Sequence, residues 1–166
     1  MTKKTNEPPK SLTLEDVFQK ICRWCAYQER SVFETKKKLK SYDISPSDIE
    51  KVMDMLVQDA YVSNERFVKM YIHGKFNRKK WGKNKILYQL KTIHQLDEKL
   101  IRQYLPEIEN EDYLNTLEMI LTKKYNQLVK KEKDKQILKK KIITFARSKG
   151  YYLDEILKTL NKLKMS

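Results

Sequence analysis

The sequence predicts an all-α fold. Only 3 of its 166 residues are glycine and 4 are proline, whereas β-rich folds need many more of these turn-forming residues. Apolar residues also recur at spacings of three and four in nine separate segments, which is the periodicity of amphipathic helices. Hydrophobic residues make up 40% of the chain and charged residues 35%. We therefore expect a thin, elongated helical body with a shallow core.

The first third of the chain predicts three helices. Apolar residues at helical spacing mark the first helix over residues 13–28. Ser31 and Glu34 have the spacing of a capping box, which starts a second helix. Ser45 can cap a third helix, with Pro46 at the first helical position, where its missing N–H costs nothing.

The middle of the chain predicts three more helices. Ser63 can cap the fourth, which would end near Arg78, and Gly82 separates it from the fifth. Asp97 can cap a short sixth helix that stops before Pro106, because the residue before a proline disfavours helical geometry.

The last part of the chain predicts the final three helices. Apolar spacing that includes Leu114 and Leu117 marks a long seventh helix. Gly150 would end the eighth in a left-handed cap, and Leu153 lies on the apolar stripe of the ninth.

These nine helices group into three sets of three, because the turns between the second and third helix of each set are alike. Ile44, Leu96 and Tyr151 are corresponding residues, 52 and 55 positions apart. We expect three tandem three-helix repeats that form a curved elongated solenoid. The predicted segments are a disordered polar tail at 1–12 and three-helix repeats at 13–62, 63–106 and 107–166.

Positive charge is concentrated in the middle of the chain. The formal net charge is +14, of which +1 falls in residues 1–62, +8 in 63–105 and +5 in 106–166. No acidic residue occurs between Arg66 and Asp97, although solvated helices usually alternate the signs of their charges. This pattern is typical of a protein that binds nucleic acid, and less often of one that binds an anionic membrane or an acidic protein.

The middle segment also contains the candidate binding residues, in which lysines alternate with aromatic rings. The candidate nucleic-acid or filament-binding residues are Lys75, Arg78, Lys79, Lys80, Lys83 and Lys85. The possible auxiliary contacts are Phe76, Trp81, Lys91, Lys139, Lys140, Lys141 and Arg147. We expect Trp81 to be a core anchor rather than a stacking platform, because Gly82 starts a helix beside it.

Catalysis, cofactors and metals are not indicated. Cys22 and Cys25 have Cys-x-x-Cys spacing, but zinc needs four ligands and no second cysteine pair exists. We therefore expect both to be small apolar residues on a buried helix face, and we predict no catalytic residue, no metal, no cofactor and no enzyme activity. No apolar run approaches the roughly 18 residues of a membrane helix, and residues 1–11 lack a signal-peptide core. The predicted location is the cytoplasm, without membrane binding.

Five short sequence motifs resemble the RecX family of bacterial regulatory proteins. They are CAYQERS at 25–31, NERF at 64–67, GKF at 74–76, KWG at 80–82 and KGY at 149–151. The resemblance covers residues 14–163. It implies three tandem three-helix repeats that bind the RecA recombinase and its filament on single-stranded DNA, and that limit filament growth, strand exchange and coprotease activity in DNA repair, recombination and the SOS response. It also implies a non-enzymatic regulator. We further expect double-stranded DNA as a second ligand and a monomeric state.

The sequence departs from the family at two turns. Many members have glycine at the second-to-third helix turn of every repeat, and here only Gly150 is such a glycine. Asp43 and His94 are the candidates to adopt the left-handed turn conformation without glycine.

Two other functions stay open from the residues alone. A helix-turn-helix transcription factor would use Lys83, Asn84 and Lys85 to begin a recognition helix in duplex DNA. A helical adaptor that binds only protein would instead present its lysines to an acidic partner.

Overall fold

The computed structural model describes residues 12–164 and contains nine α-helices and no β-strand in that range. The predicted all-α fold is therefore confirmed. Of the predicted disordered tail at 1–12, all but Leu12 lies outside the described residues. The chain divides into two compact units, of which the first ends at Asn64 and the second begins at Glu65.

The first unit contains three helices whose starts are fixed by side-chain caps. Its helices are α1 (Leu14–Tyr27), α2 (Val32–Leu39) and α3 (Pro46–Gln58). The predicted capping box is present, since Glu34 N donates to Ser31 Oγ at 3.1 Å and Ser31 N donates to Glu34 Oε2 at 3.3 Å. Ser45 Oγ accepts from Asp48 N at 3.1 Å and caps α3, as predicted.

Both cysteines lie in the core of the first unit. Cys22 and Cys25 are free thiols that pack with fully buried residues such as Val17 and Leu39. Burial raises the pKa of the Cys25 thiol to about 11, because a low-dielectric environment disfavours the thiolate. The prediction that the pair belongs to a buried helix face is confirmed.

The second unit contains six helices around one continuous core. Its helices are α4 (Asn64–Lys79), α5 (Lys83–Tyr88), α6 (Glu98–Tyr104), α7 (Asn110–Leu128), α8 (Lys135–Lys149) and α9 (Leu153–Lys162). A π-helical turn, Gln89–Ile93, extends α5, and a 3₁₀ turn, Leu105–Glu107, extends α6. The three helices α7, α8 and α9 pack on one another, and α5 packs on α6. The predicted division into repeats at 62/63 and 106/107 stays a prediction.

The apolar stripe of α7 differs from the predicted one. Leu114 is 46% exposed, whereas Tyr113, Leu117 and Leu121 are buried. Leu117 and Leu121 are buried as predicted, so the buried face differs at its start, where Tyr113 takes the place of Leu114. Leu153, predicted to lie on the stripe of α9, is likewise 45% exposed.

Left-handed residues end the second helix in each group of three. Asp43 has φ 54°, as expected, and Gly150 has φ 95°. In the middle turn, however, Gln95 has φ 51° while His94 has φ −93°, so the expectation for His94 was wrong. The reason is the π-helical turn, in which His94 N donates to Gln89 O and the turn residue is displaced by one position.

Candidate nucleic-acid interface

The candidate interface is built on the C-terminal end of α4. Lys80 N donates to Phe76 O at 3.0 Å and Trp81 N donates to Lys75 O at 3.2 Å. The bond from Lys80 is the 5→1 bond of an αL helix cap, with Lys80 in the left-handed position at φ 54°. The helix therefore stops at Lys79, and the following residues leave its axis.

The turn that follows is fixed by a close approach to the turn between α8 and α9. Gly82 N donates to Lys149 O at 2.8 Å, and Asn84 N donates to Gly150 O at 3.2 Å. A Cβ on Gly82 would lie 2.3 Å from Gly150 O. Only glycine allows the two backbones to come this close.

Trp81 lies between two ammonium groups. Lys85 Nζ is 4.6 Å and Lys75 Nζ 5.1 Å from the centroid of its ring, which are cation–π distances. The ring is half-buried and packs against the core of the second unit. Trp81 is thus a core-edge residue that holds two lysines in place.

Phe76 is buried rather than presented to a ligand. Its ring is 6% exposed and stacks on Tyr113 at 6.3 Å. Burial, followed by the nearby Glu155 carboxylate, raises the pKa of Tyr113, which remains a neutral phenol and donates to Glu155 Oε2 at 3.0 Å. Phe76 therefore supports the site from inside the core.

Three consecutive predicted cations make no cation–π contact among the described residues, unlike Lys75, Lys83 and Lys85. Arg78 and Lys79 are exposed and Lys80 is half-buried. Within residues 12–164, none of the three has a carboxylate at ion-pair distance. We refer to Arg78, Lys79 and Lys80 as the cationic turn. Its charges are not neutralised by the described part of the protein.

Lys83 and Lys85 have contacts within the second unit. Lys83 Nζ lies 4.9 Å from the centroid of the Tyr113 ring and donates to Asn110 Oδ1 at 3.3 Å. Lys85 Nζ donates to Ser148 O at 2.9 Å. Because these contacts hold both ammonium groups, Lys83 and Lys85 add positive potential to the cationic turn but are less free to follow a ligand.

Lys91 is paired with an acid. It forms an ion pair with Glu98, which Arg102 also contacts. The hydrogen bond from Lys91, followed by that from Arg102, holds the pKa of Glu98 below its usual value. Among the predicted contacts in the middle segment, Lys91 is therefore the one whose positive charge is neutralised by a carboxylate.

The predicted contacts on α8 divide into two groups. Lys140 and Lys141 line a groove between α7 and α8, where Lys141 pairs with Glu132 at 2.7 Å. Lys139 is half-buried and Arg147 is exposed, and neither lines this groove.

Sequence reasoning missed the proximity of Lys149 to the cationic turn. Lys149 Nζ contacts Lys79 O at 3.4 Å, and the Tyr151 hydroxyl contacts Lys80 O at the same distance. No local spacing could have indicated contacts between residues about 70 positions apart. The KGY motif at 149–151 was the available signal, since its residues contact the KWG motif at 80–82.

Across residues 12–164, no three His, Cys, Asp or Glu side chains are arranged to hold a metal ion. No helix in that range is long and apolar enough to cross a membrane.

Comparison with known proteins identifies the family. The model of the RecX second three-helix domain matches residues 63–105, which include the cationic turn. The regulatory protein RecX of Clostridium tetani is 33% identical over 138 residues, or 83% of this chain and 61% of the relative. That of Clostridium perfringens strain 13 is 30% identical over 152 residues, or 89% of this chain and 70% of the relative. The chain belongs to the RecX family.

Solved RecX structures have the same fold. The crystal structure of RecX from Lactobacillus salivarius superposes with a TM-score of 0.79 at 18% identity, covering 92% of this chain and 97% of that one. A second RecX crystal structure gives 0.77 at 16% identity, covering 92% and 73%. The match spans about three-fifths of the length of the first RecX relatives, those of Clostridium tetani (61%) and Clostridium acetobutylicum (60%).

Proposed function

We propose that this RecX-family protein is a non-enzymatic regulator that binds a RecA recombinase filament on single-stranded DNA and mainly inhibits it. The observation that carries the proposal is the cationic turn, whose three charges have no carboxylate partner in residues 12–164. Membership of a family of regulatory proteins supports the regulatory role. We further propose that the protein is a cytoplasmic monomer, uses no cofactor and binds double-stranded DNA as a second ligand.

The proposed mechanism is steric and electrostatic. Residues 63–105 have a net charge of +8, which attracts the phosphate backbone of a nucleoprotein filament over a Debye length of about 8–10 Å at physiological salt. The protein lies along the filament groove, contacts phosphates through the cationic turn and hinders the addition of recombinase subunits or the entry of a second strand.

Filament binding fits the structure better than sequence-specific duplex binding. A recognition helix would need Lys83, Asn84 and Lys85 to enter a major groove. Lys83 Nζ instead donates to Asn110 Oδ1, and Lys85 Nζ donates to Ser148 O. These contacts favour a surface that follows a phosphate backbone over one that reads bases.

A charge-reversal experiment tests the proposal. The variant Arg78→Glu, Lys79→Glu, Lys80→Glu changes only the cationic turn. We expect it to lose inhibition of DNA-stimulated ATP hydrolysis and of strand exchange by the cognate recombinase, and to disassemble filaments more slowly than the wild type. Each lost phosphate contact should also reduce the salt slope of single-strand binding by about 0.7.

The matched control carries the same charge change in the first unit. Lys20, Lys37 and Lys40 are exposed and lie in the segment whose net charge is only +1, so their reversal to glutamate should preserve inhibition. Helix content measured by circular dichroism must be equal in all three proteins. Equal inhibition by the wild type and the cationic-turn variant would contradict the proposal. The proposal would also be contradicted if the wild type at low salt changed neither ATP hydrolysis nor strand exchange by the recombinase.

A further inference from the structure

The groove between α7 and α8 combines positive charge with a half-buried aromatic ring. It has a volume of about 440 Å³, and its lining includes Lys124, Lys140, Lys141, Ile137, Phe145 and Ser148. We propose that this groove is a second binding site for single-stranded nucleic acid, with phosphates at the lysines and a base against Phe145. This inference extends the proposed function and rests on it for the identity of the nucleic acid.

The groove keeps positive charge after its internal ion pair is counted. Lys141 is neutralised by Glu132, whose Oε2 lies 2.7 Å from Lys141 Nζ. Lys124 and Lys140 have no carboxylate at ion-pair distance among the described residues. Two positive charges at the groove are therefore available to a polyanion.

Phe145 favours nucleic acid over an acidic protein segment. Lys124 Nζ lies 5.1 Å and Lys149 Nζ 5.8 Å from the centroid of its ring, and Ile137, which also lines the groove, is 43% exposed. A nucleobase can stack on an aromatic face while its phosphate contacts the neighbouring lysines. A carboxylate gains nothing from this ring, because the face of an aromatic ring carries partial negative charge.

One end of the groove lies next to residues that contact the cationic turn and its neighbour Lys85. Ser148, at one end of the groove, accepts a hydrogen bond from Lys85 Nζ through its carbonyl oxygen at 2.9 Å. The adjacent Lys149 contacts Lys79 O at 3.4 Å. From Lys141 to Ser148 the groove follows about two turns of α8, or about 10 Å. A single strand bound at the cationic turn can therefore continue into the groove.

The test measures DNA binding by the full chain without recombinase. A fluorescent oligothymidylate is compared with an oligomer of the same length that has abasic sugars, over a series of salt concentrations. The groove variant is Lys124→Gln, Lys140→Gln. The control variant, Lys158→Gln, Lys164→Gln, removes the same charge from exposed positions outside the groove lining. Phe145→Leu removes the flat ring but keeps an apolar side chain, so that its packing against the core is largely preserved.

We expect the groove variant to reduce the salt slope by about 1.4, which is about 0.7 for each lost single-strand phosphate contact. The control variant should retain the wild-type slope. The wild type should bind the base-bearing oligomer at least about 5-fold more tightly than the abasic one, and Phe145→Leu should lose most of this preference.

Several results would overturn the inference. Equal salt slopes for the groove and control variants would refute the phosphate contacts, and an unchanged base preference in Phe145→Leu would refute the base contact. Competition by polyglutamate as effective as that by oligothymidylate would reassign the groove to an acidic protein partner. If the wild type inhibits recombinase but binds neither oligomer, the groove site is refuted while the proposed function stands. If it binds both oligomers but does not affect recombinase, the proposed function alone is refuted.

Discussion

Replacing Gly82 with alanine tests whether the close approach of two backbone turns holds the second unit together. Gly82 has φ −76° and ψ 162°, which alanine adopts without strain. A Cβ there would lie 2.3 Å from Gly150 O and 2.7 Å from Tyr151 N. Because both neighbours are backbone atoms, no side-chain rotation can relieve the clash and the two turns must separate.

The expected cost follows from the contacts that separation would disturb. Overpacking typically costs about 1–3 kcal/mol. Separation also weakens the hydrogen bonds from Gly82 N to Lys149 O and from Asn84 N to Gly150 O, each of which contributes about 0.5–1.5 kcal/mol. We therefore expect Gly82→Ala to lower the free energy of unfolding of the second unit by about 2–6 kcal/mol.

Gly74→Ala is the matched control for this substitution. Gly74 lies within α4, and the nearest atoms that its Cβ would meet belong to the flexible Arg78 side chain, at 2.9 Å. Alanine is favoured over glycine in a helix interior by about 0.5–1 kcal/mol. The control should thus leave stability unchanged or raise it slightly.

Urea unfolding followed by tryptophan fluorescence is the appropriate assay. The chain has two tryptophans, and Trp24 belongs to the first unit while Trp81 belongs to the second. In a Trp24→Phe background the signal therefore reports the second unit alone. Equal urea midpoints for the two alanine variants would refute the argument, because they would mean that the turns do not need to be in backbone contact.

Three further substitutions or conditions test other parts of the fold. Gln95→Gly should raise the free energy of unfolding by about 0.5–1 kcal/mol, because glycine adopts the left-handed conformation at φ 51° without strain. The urea midpoint measures this gain, and an unchanged midpoint would contradict it. Asp134→Ala should cost about 1 kcal/mol, since Asp134 Oδ1 accepts from Gln136 N at 2.7 Å and Ile137 N at 3.0 Å, whereas Asp134→Asn should retain most of the cap in the same measurement. Because burial raises the pKa of Cys25 to about 11, the folded state keeps the thiol proton. This stabilisation is fully present below the unfolded pKa of about 8.5 and is lost as pH rises towards 11. The first unit should therefore lose urea resistance between pH 9 and 11, and Cys25→Ala should remove this part of the pH dependence.

The helix starts were predictable because their chemistry is local. Ser31 and Glu34 are three residues apart and cap each other in α2, and Ser45 caps α3 in the same way. Gly150 was equally readable as a left-handed cap. The left-handed residue of the middle turn was not predictable, because a π-helical turn displaces it from His94 to Gln95. Sequence spacing assumes a regular helix and does not reveal such a displacement.

The composition of the candidate site was predictable, but its geometry was not. The absence of acidic residues around Arg78, Lys79 and Lys80 is visible in the sequence. Tertiary contacts decide which lysines already have a hydrogen-bond partner within the protein. Lys85, for example, donates to the carbonyl oxygen of Ser148, which is distant in sequence. The contact of Lys149 with Lys79 likewise joins two basic segments that the sequence presents separately.

The arrangement around Trp81 explains how a folded unit tolerates so many like charges. Lys75 and Lys85 both contact the Trp81 ring, and Lys85 and Lys149 donate to backbone carbonyl oxygens. Aromatic faces and carbonyl groups stabilise ammonium groups without cancelling their charge, whereas carboxylates would remove the field that attracts a polyanion. The fold thus holds its lysines in place and leaves their charge to be neutralised by a ligand. Because any ligand that binds only the folded state stabilises it, nucleic acid should also raise the stability of this unit.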